Sequence, residues 1–441
     1  MTDHRPTNLT GSPERVPAVG GTRTVPAPEP IVRDYLLLVL RLDQHRPGLV
    51  DAYYGPADLK AQADMESLRP PARLADDAIA LTERLAAEIG DARRREFLRS
   101  QLVALEAQAR VSAGESISYE ELVTRFFDHA MSRVDDAIFQ HAAAELDRSL
   151  PGAGPLNERL AAWEGRLTVE PERVQVVADH LAARFRARAA VLFGLPDREA
   201  ARINLVRDRP WGGYNWYEGG RRSRVELNLD LPVRLPGLMH TVAHETYPGH
   251  HLEAATKEAR LVDEAGWTEL TILTINTPEC LMHEGLADLG YRFAAPADNE
   301  VALLEEAIEI AGLPIAQDPV EMRAVTAIQP SIRAARAALR GVGGNAALMR
   351  HADGRSHDEV RSYLIEVGAK TAAGAAKQLE FIEDPLWRTY VPVYREGEAL
   401  LERWLRLVPE PDRPARFARL LAEAHAPSGI EAELREAPAR A

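Results

Sequence analysis

The sequence predicts a mainly α protein: one large multi-helix body with a cleft, and a small β hairpin beside the most chemically loaded stretch of the chain. Three observations predict it. Ala, Leu, Arg and Glu dominate the composition at the expense of β-branched types, which favours helix. Apolar residues recur at i, i+4 and i+7 through much of the first half. Strict alternation of polar and apolar residues marks 224–231.

The bulk numbers bound the rest. The 441 residues accommodate two or three ordinary domains or one large body, and we read residues 31–426 as a single helical domain. A formal net charge of -14 without a dense basic face argues against nucleic acid as a partner. Cys280 is the only cysteine, so no intramolecular disulfide is possible and a reducing cytoplasm is expected, with Cys280 as a core thiol. The longest apolar run near the N-terminus, Tyr35 to Leu40, is too short to span a bilayer, so no membrane partner is expected. Nothing in the sequence bears on oligomeric state.

In chain order, residues 1–30 carry six prolines among Gly, Thr and Ser and read as a disordered leader. Ile31, Tyr35, Leu38 and Leu42 share one helical face up to the break at Pro47-Gly48. Asp51 to Pro56 then reads as a turn with two adjacent tyrosines packed under it. From about 72 to 205 helix follows helix, with Leu74, Ala78, Leu81, Leu85 and Ile89 on one face and Leu98, Leu102 and Leu105 on the next. Ser118 with Glu121 reads as a capping box, and Pro171 suits the first turn of the helix carrying Val174, Val177, Leu181 and Phe185. His129, His141 and His180 stand alone on such helices and are expected to be packed or solvated.

The aromatic, Gly-rich stretch 210–220 reads as a hairpin, leading into a strand over 224–231 with four apolar side chains on one face. A strand edge there would lie beside the next helix and offer pairing to an extended peptide; a purely structural hairpin fits the pattern as well. Beyond it, Arg333, Arg336 and Arg340 share a face, as a solvated basic stripe or a cradle for a substrate carboxylate. His351 and His357 flank a turn, helix continues over 361–367, and the tail 427–441 is expected to fray.

The chemistry concentrates at 240–251, where four of the thirteen histidines fall beside a glutamate. Imidazoles and a carboxylate at helical spacing are the parts needed to hold a divalent metal and deprotonate its water. Residues 237–247 are expected to be helical, so His240 and His244 at i, i+4 form one possible ligand pair; His244 with His250 or His251, across Pro248-Gly249, forms the other. A straight helix would separate 244 from 250 by about 9 Å along its axis, so the second pairing requires Pro248-Gly249 to distort the helix.

The run His244-Glu245-Thr246-Tyr247-Pro248-Gly249-His250-His251 resembles the His-Glu-x-x-Pro-Gly-His-His signature of the bacterial family called domain of unknown function 885. Glu284-Gly285-Leu286-Ala287-Asp288-Leu289 is the counterpart of its Glu-Gly-Trp-Ala-Leu-Tyr element, departing from it at Asp288, Tyr394-Arg395-Glu396-Gly397 is similar to its Tyr-x-x-Gly element, and Asp51 to Pro56 to a turn of one subgroup. The resemblance implies a largely helical, zincin-like fold of the glutamate-ligand zinc peptidase kind. Carried over position by position, it implies His244, His250 and Glu284 as zinc ligands, with His250 preferred to His251, and Glu245 as general base. An analogy comes from the dipeptidyl-peptidase III family, where an inserted residue still leaves both histidines on zinc. Asp288, four residues after Glu284, is then the expected carboxylate partner of a ligand imidazole. Tyr394 is the candidate donor to the oxyanion, worth about 2–4 kcal/mol if preorganised, or else a buried structural tyrosine. His283 is a weaker candidate for approaching substrate.

The expectation is therefore a zinc-dependent metallohydrolase acting on a peptide or small amide. Two alternatives stand beside it: a metal-binding scaffold or inactive homologue, and a non-hydrolytic enzyme with two histidines and a carboxylate on Fe(II).

Overall fold

The computed structural model describes residues 25–209 and 211–437. It is mainly α with two small sheets, as the periodicities predict. The first helices are α1 (Pro30–Asp43), α2 (Ala57–Met65), α3 (Pro71–Glu88) and α4 (Ala92–Ser112), followed by α5 (Tyr119–Phe127), α6 (Asp136–Ser149), α7 (Leu156–Gly165) and α8 (Pro171–Phe193). Strands β1 (Val50–Tyr53), β2 (Ala200–Val206), β3 (Gly213–Gly219), β4 (Arg222–Asn228) and β5 (Ile272–Thr274) flank the central helices α9 (Leu235–Glu245), α10 (His250–Lys257) and α11 (Pro278–Ala294). The chain continues with α12 (Glu300–Ala311), α13 (Pro319–Thr326), α14 (Gln329–Leu339), α15 (Gly341–His351), α16 (His357–Glu366), α17 (Ala372–Glu383), α18 (Val393–Leu405), α19 (Arg413–Ala422) and α20 (Pro427–Glu436). No helix among the described residues is long and apolar enough to cross a membrane.

Two hydrophobic clusters organise these elements. The smaller gathers the predicted faces of α1, α3 and α4, including Ile31, Tyr35, Leu38, Leu74, Leu81 and Leu102, with Ile272 of β5. The larger holds α5 to α12 and the C-terminal helices. Each fully buried Leu or Phe removes enough apolar surface from water to contribute about 1.5–3 kcal/mol before the entropy of ordering is subtracted. Of the capping box expected at Ser118 the first half forms, its hydroxyl accepting from the Glu121 N–H, and Pro171 opens α8 as expected.

The structure corrects several local expectations. Most of the leader 1–30 lies outside the described residues, but within 25–29 Val25 packs on the smaller cluster and the Glu29 carboxylate sits 3.1 Å from Arg94, so contacts with the body begin before Ile31. The stretch read as a turn from Asp51 holds β1, paired antiparallel with β5 through Ala52↔Leu273 and Tyr53↔Ile272, a partner more than 200 residues away that no local pattern announces; Tyr53 and Tyr54 bond the Pro56 and Leu270 carbonyls. Residues 200–206, read as the end of the helical region, form β2, parallel to β4. Their Ala200-Ala201-Arg202-Ile203 pattern carries no distinguishing local signal; the pairing partner decides. The strand expected over 224–231 is Arg222–Asn228, and although Val225 and Leu227 are buried, Leu231 is 78% exposed because the alternation outlasts the sheet. The tail expected to fray from 427 is helical through Glu436: Ile430 is buried and Glu433 accepts from the Trp404 indole.

Candidate metal centre

Helix α9 delivers His244 and Glu245 from its last turn, with Leu235, Leu238, Met239 and Val242 holding its other face in the core. It ends at Glu245 rather than continuing to 247. Thr246 leaves helical geometry, and Pro248, which lacks an N–H, cannot continue the ladder. The chain turns through Gly249, whose N–H bonds the Ala243 carbonyl, and α10 restarts at His250. A Cβ at Gly249 would lie 1.8 Å from the His244 carbonyl oxygen, so only glycine permits this approach. The distortion demanded of Pro248-Gly249 is thus a complete break between two helices. It leaves the His244 and His250 rings 4.6 Å apart.

Helix α11 supplies the third group. Fourteen of its seventeen residues are buried, so Glu284 and Asp288 enter the interior and need partners there. Glu284 Oε2 lies 3.2 Å from His244 Nε2 and 3.8 Å from His250 Nε2. A tetrahedral zinc with bonds near 2.0–2.1 Å has ligand-to-ligand edges of about 3.3 Å, which these separations bracket. Glu284 Oε2 is enclosed without a hydrogen-bond donor, while Oε1 accepts from the Tyr390 hydroxyl at 2.7 Å. Burial, then the neighbouring His244, pushes His250 down to about 4, which keeps it neutral as a ligand imidazole must be. The donor set therefore fits a zinc ion.

Asp288 takes the other side of His244, its Oδ1 3.2 Å from Nδ1, as the spacing from Glu284 predicts. The same oxygen lies 3.2 Å from His240 Nε2, and Oδ2 accepts from Arg340 at 3.0 Å. Geometrically His240, His244 and Asp288 form a second possible ligand group. There, however, the carboxylate is already served by two imidazoles and a guanidinium, whereas the Glu284 side keeps an unserved oxygen. Burial opposes a charge on His244, but Asp288 and Glu284 outweigh it and hold the imidazole well above its usual range. The two carboxylates thus favour positive charge at this point.

Glu245 is enclosed, and burial, reinforced by Glu284, Asp51 and Asp288 against the opposing pull of His244, pushes its carboxyl up to about 7. Gly213 of β3 passes close to it, so that a Cβ there would meet Glu245 Oε1 at 3.3 Å; the strand expected to offer an edge, 224–231, is instead the central strand β4, and the edge strand near Glu245 is β3. Tyr394 is half-buried on α18, 5.8 Å ring to ring from Tyr390, and its hydroxyl makes no bond to another described residue.

Several expected participants go elsewhere. His251 is fully buried and bonds Ser223 and Glu199. His283 sits between Glu253 and Glu279, its ring 6.4 Å from that of His250. The arginines are partly solvated, Arg336 most, and each is spent on a carboxylate of the chain: Arg333 pairs with Glu300, Arg336 with Glu164, and Arg340 with Asp288 and Glu398. His129, His180 and His357 pair with glutamates, and His351 bonds the Ile382 carbonyl. Cys280 is buried and bonds the Thr274 carbonyl.

Two groups at the site escaped the sequence reading. Tyr390 lies in the turn before α18, off the helical spacing of Tyr394, so no periodicity pointed to it. Asp51, bonded by the Tyr214 hydroxyl 163 residues on and pushed up to about 7 by burial and then Glu284, comes from β1, where the sequence offered only a turn.

No family model matches the chain, and no curated protein matches it. Among solved structures, the putative lipoprotein from Colwellia psychrerythraea is similar at a TM-score of 0.48 and 15% identity, covering 83% of this chain and 68% of that one.

Proposed function

We propose that this protein is a zinc-dependent hydrolase cleaving peptide or small amide bonds in the cytoplasm. The observation that carries the reading is the convergence of His244 Nε2, His250 Nε2 and the donorless Glu284 Oε2, with the Glu245 carboxylate on the adjoining residue. It accords with the resemblance of 244–251 to the domain of unknown function 885 signature. A buried single cysteine accords with a reducing compartment.

Zinc held by this set supplies Lewis acidity and a water acidified to near neutrality. The protein's own groups divide the remaining tasks. Glu245 takes a proton from the attacking water on its carboxylate and returns it to the leaving nitrogen; a carboxyl titrating near neutrality suits both halves of that exchange. Asp288 accepts from His244 Nδ1, which fixes the tautomer that leaves Nε2 free as a donor. Tyr390 holds Glu284 by its other oxygen. The unbonded Tyr394 hydroxyl is available to donate to the oxyanion.

The test is hydrolysis of a mixed peptide library by zinc-loaded protein beside Glu245→Gln at equal zinc content. Cleavage by the parent, falling by about 10²–10⁴-fold in the variant, is expected. Equal rates, or no cleavage by fully loaded parent, would overturn the reading.

A further inference from the structure

Glu199 stands just before β2 and plays no part in the chemistry above, yet its carboxylate is completely enclosed. Three side chains converge on it. His251 Nε2 lies 2.8 Å from Oε2, the Tyr247 hydroxyl donates to the same oxygen, and Arg186 Nε donates to Oε1 at 2.7 Å. A carboxylate only accepts, so His251 carries its proton on Nε2, and Nδ1 then accepts from the Ser223 hydroxyl at 2.9 Å. Ser223, His251 and Glu199 have the composition of a nucleophile, base and acid, but Ser223 is 3% and His251 0% exposed, which denies them a substrate.

What the network does is geometric. Glu199 Oε2 binds the first and last residues of Tyr247-Pro248-Gly249-His250-His251, the segment that replaces the broken helix. With both ends tied to one atom, the reach of His250, between Gly249 and His251, is set. The anchor sits at the entry to the small sheet: Glu199 immediately precedes β2, whose Ala201 pairs with Ser223 of β4, and His251 bonds both Glu199 and Ser223. This explains why the small sheet lies against the metal centre although none of its residues is a ligand.

We propose that Glu199 is a positioning residue for the metal centre, holding the Tyr247–His251 turn so that His250 reaches the point faced by His244 and Glu284. The proposal rests on the reading of His244, His250 and Glu284 as metal ligands.

The test uses the full chain loaded with Co²⁺ for its visible spectrum and Zn²⁺ for affinity, in the parent, Glu199→Gln, Tyr247→Phe and, as a remote control, Glu269→Gln, which disturbs the buried Arg94 pair. Glu199→Gln and Tyr247→Phe are each expected to weaken zinc binding by about 10–100-fold and to alter the cobalt bands, while Glu269→Gln keeps the parent spectrum and affinity. A parent-like spectrum and affinity in Glu199→Gln, or in Tyr247→Phe should Glu199→Gln fail to fold, overturns the proposal. The same shift in Glu269→Gln also overturns it, by showing a general loss of stability. A parent that binds neither metal overturns the ligand assignment and, with it, this inference; a parent that binds both while the variants do not differ overturns only the inference.

Discussion

The Tyr390 hydroxyl donates to Glu284 Oε1 at 2.7 Å and so turns Oε2 of the same carboxylate toward His244 and His250. A hydrogen bond on one oxygen of a ligand carboxylate orients the other. Tyr390→Phe is therefore expected to keep the fold and lose about 10–100-fold in zinc affinity, measured by competition with a chromophoric chelator. Unchanged affinity would remove Tyr390 from the site.

The alternative ligand pairs separate by substitution. His250→Ala is expected to abolish stoichiometric zinc, whereas His240→Ala, which removes only a partner of Asp288, is expected to retain it with at most about 10–100-fold weakening. Zinc content after gel filtration decides; the reverse result would make His240 the ligand.

Helices α11 and α18 meet at two glycines. A Cβ on Gly285 would lie 2.3 Å from the Gly397 carbonyl carbon, and one on Gly397 would lie 2.2 Å from the Leu281 carbonyl oxygen. The obstacle in both cases is backbone, which cannot rotate aside. Gly397→Ala is expected to destabilise by about 3 kcal/mol or more through overpacking. Because it pushes α18 and the Tyr390 just before it away from Glu284, it should also weaken zinc binding. A urea midpoint like that of the parent would contradict the close crossing.

The buried Arg94–Glu269 pair, with Arg94 Nε 2.6 Å from Glu269 Oε1, joins α4 to the segment before β5. Glu269→Ala leaves an enclosed guanidinium without its main partner and is expected to cost about 3–5 kcal/mol, read from denaturant unfolding. A loss under about 1 kcal/mol would show that Glu29, 3.1 Å from Arg94, suffices.

His129 provides a pH dependence remote from the metal. Burial opposes its protonation, but Glu396 and Glu431, 3.5 and 2.7 Å away, together outweigh burial and raise its pKa. A raised folded pKa contributes stability that is fully present below the unfolded value of about 6.5 and is lost as pH rises through the folded value. The gap in urea midpoint between parent and His129→Gln is thus expected to be widest below about pH 6.5 and to narrow on the alkaline side. A gap independent of pH would mean that His129 is neutral throughout. Since Glu431 lies on α20, the same variant should loosen the C-terminal helix.

The sequence by itself determined the helical body, because a 3.6-residue period commits each apolar face to a core whatever the partner turns out to be. It also singled out the side chains from which the proposed metal chemistry is drawn: the histidines and Glu245 by their crowding at 240–251, Glu284 by the family resemblance, and Asp288 by its place four residues after Glu284. It left the second histidine open among His240, His250 and His251. Only the tertiary structure decided how the chain crosses Pro248-Gly249, because that path is held by Glu199, just before β2, and Ser223 of β4, whose meeting no local pattern announces. For the same reason Asp51, Tyr390 and Glu199 came to light only in the folded chain. Hydrogen bonds between residues 48 to 163 positions apart follow from which surfaces pack together, and a linear pattern of apolar residues specifies that a face is buried without specifying against what.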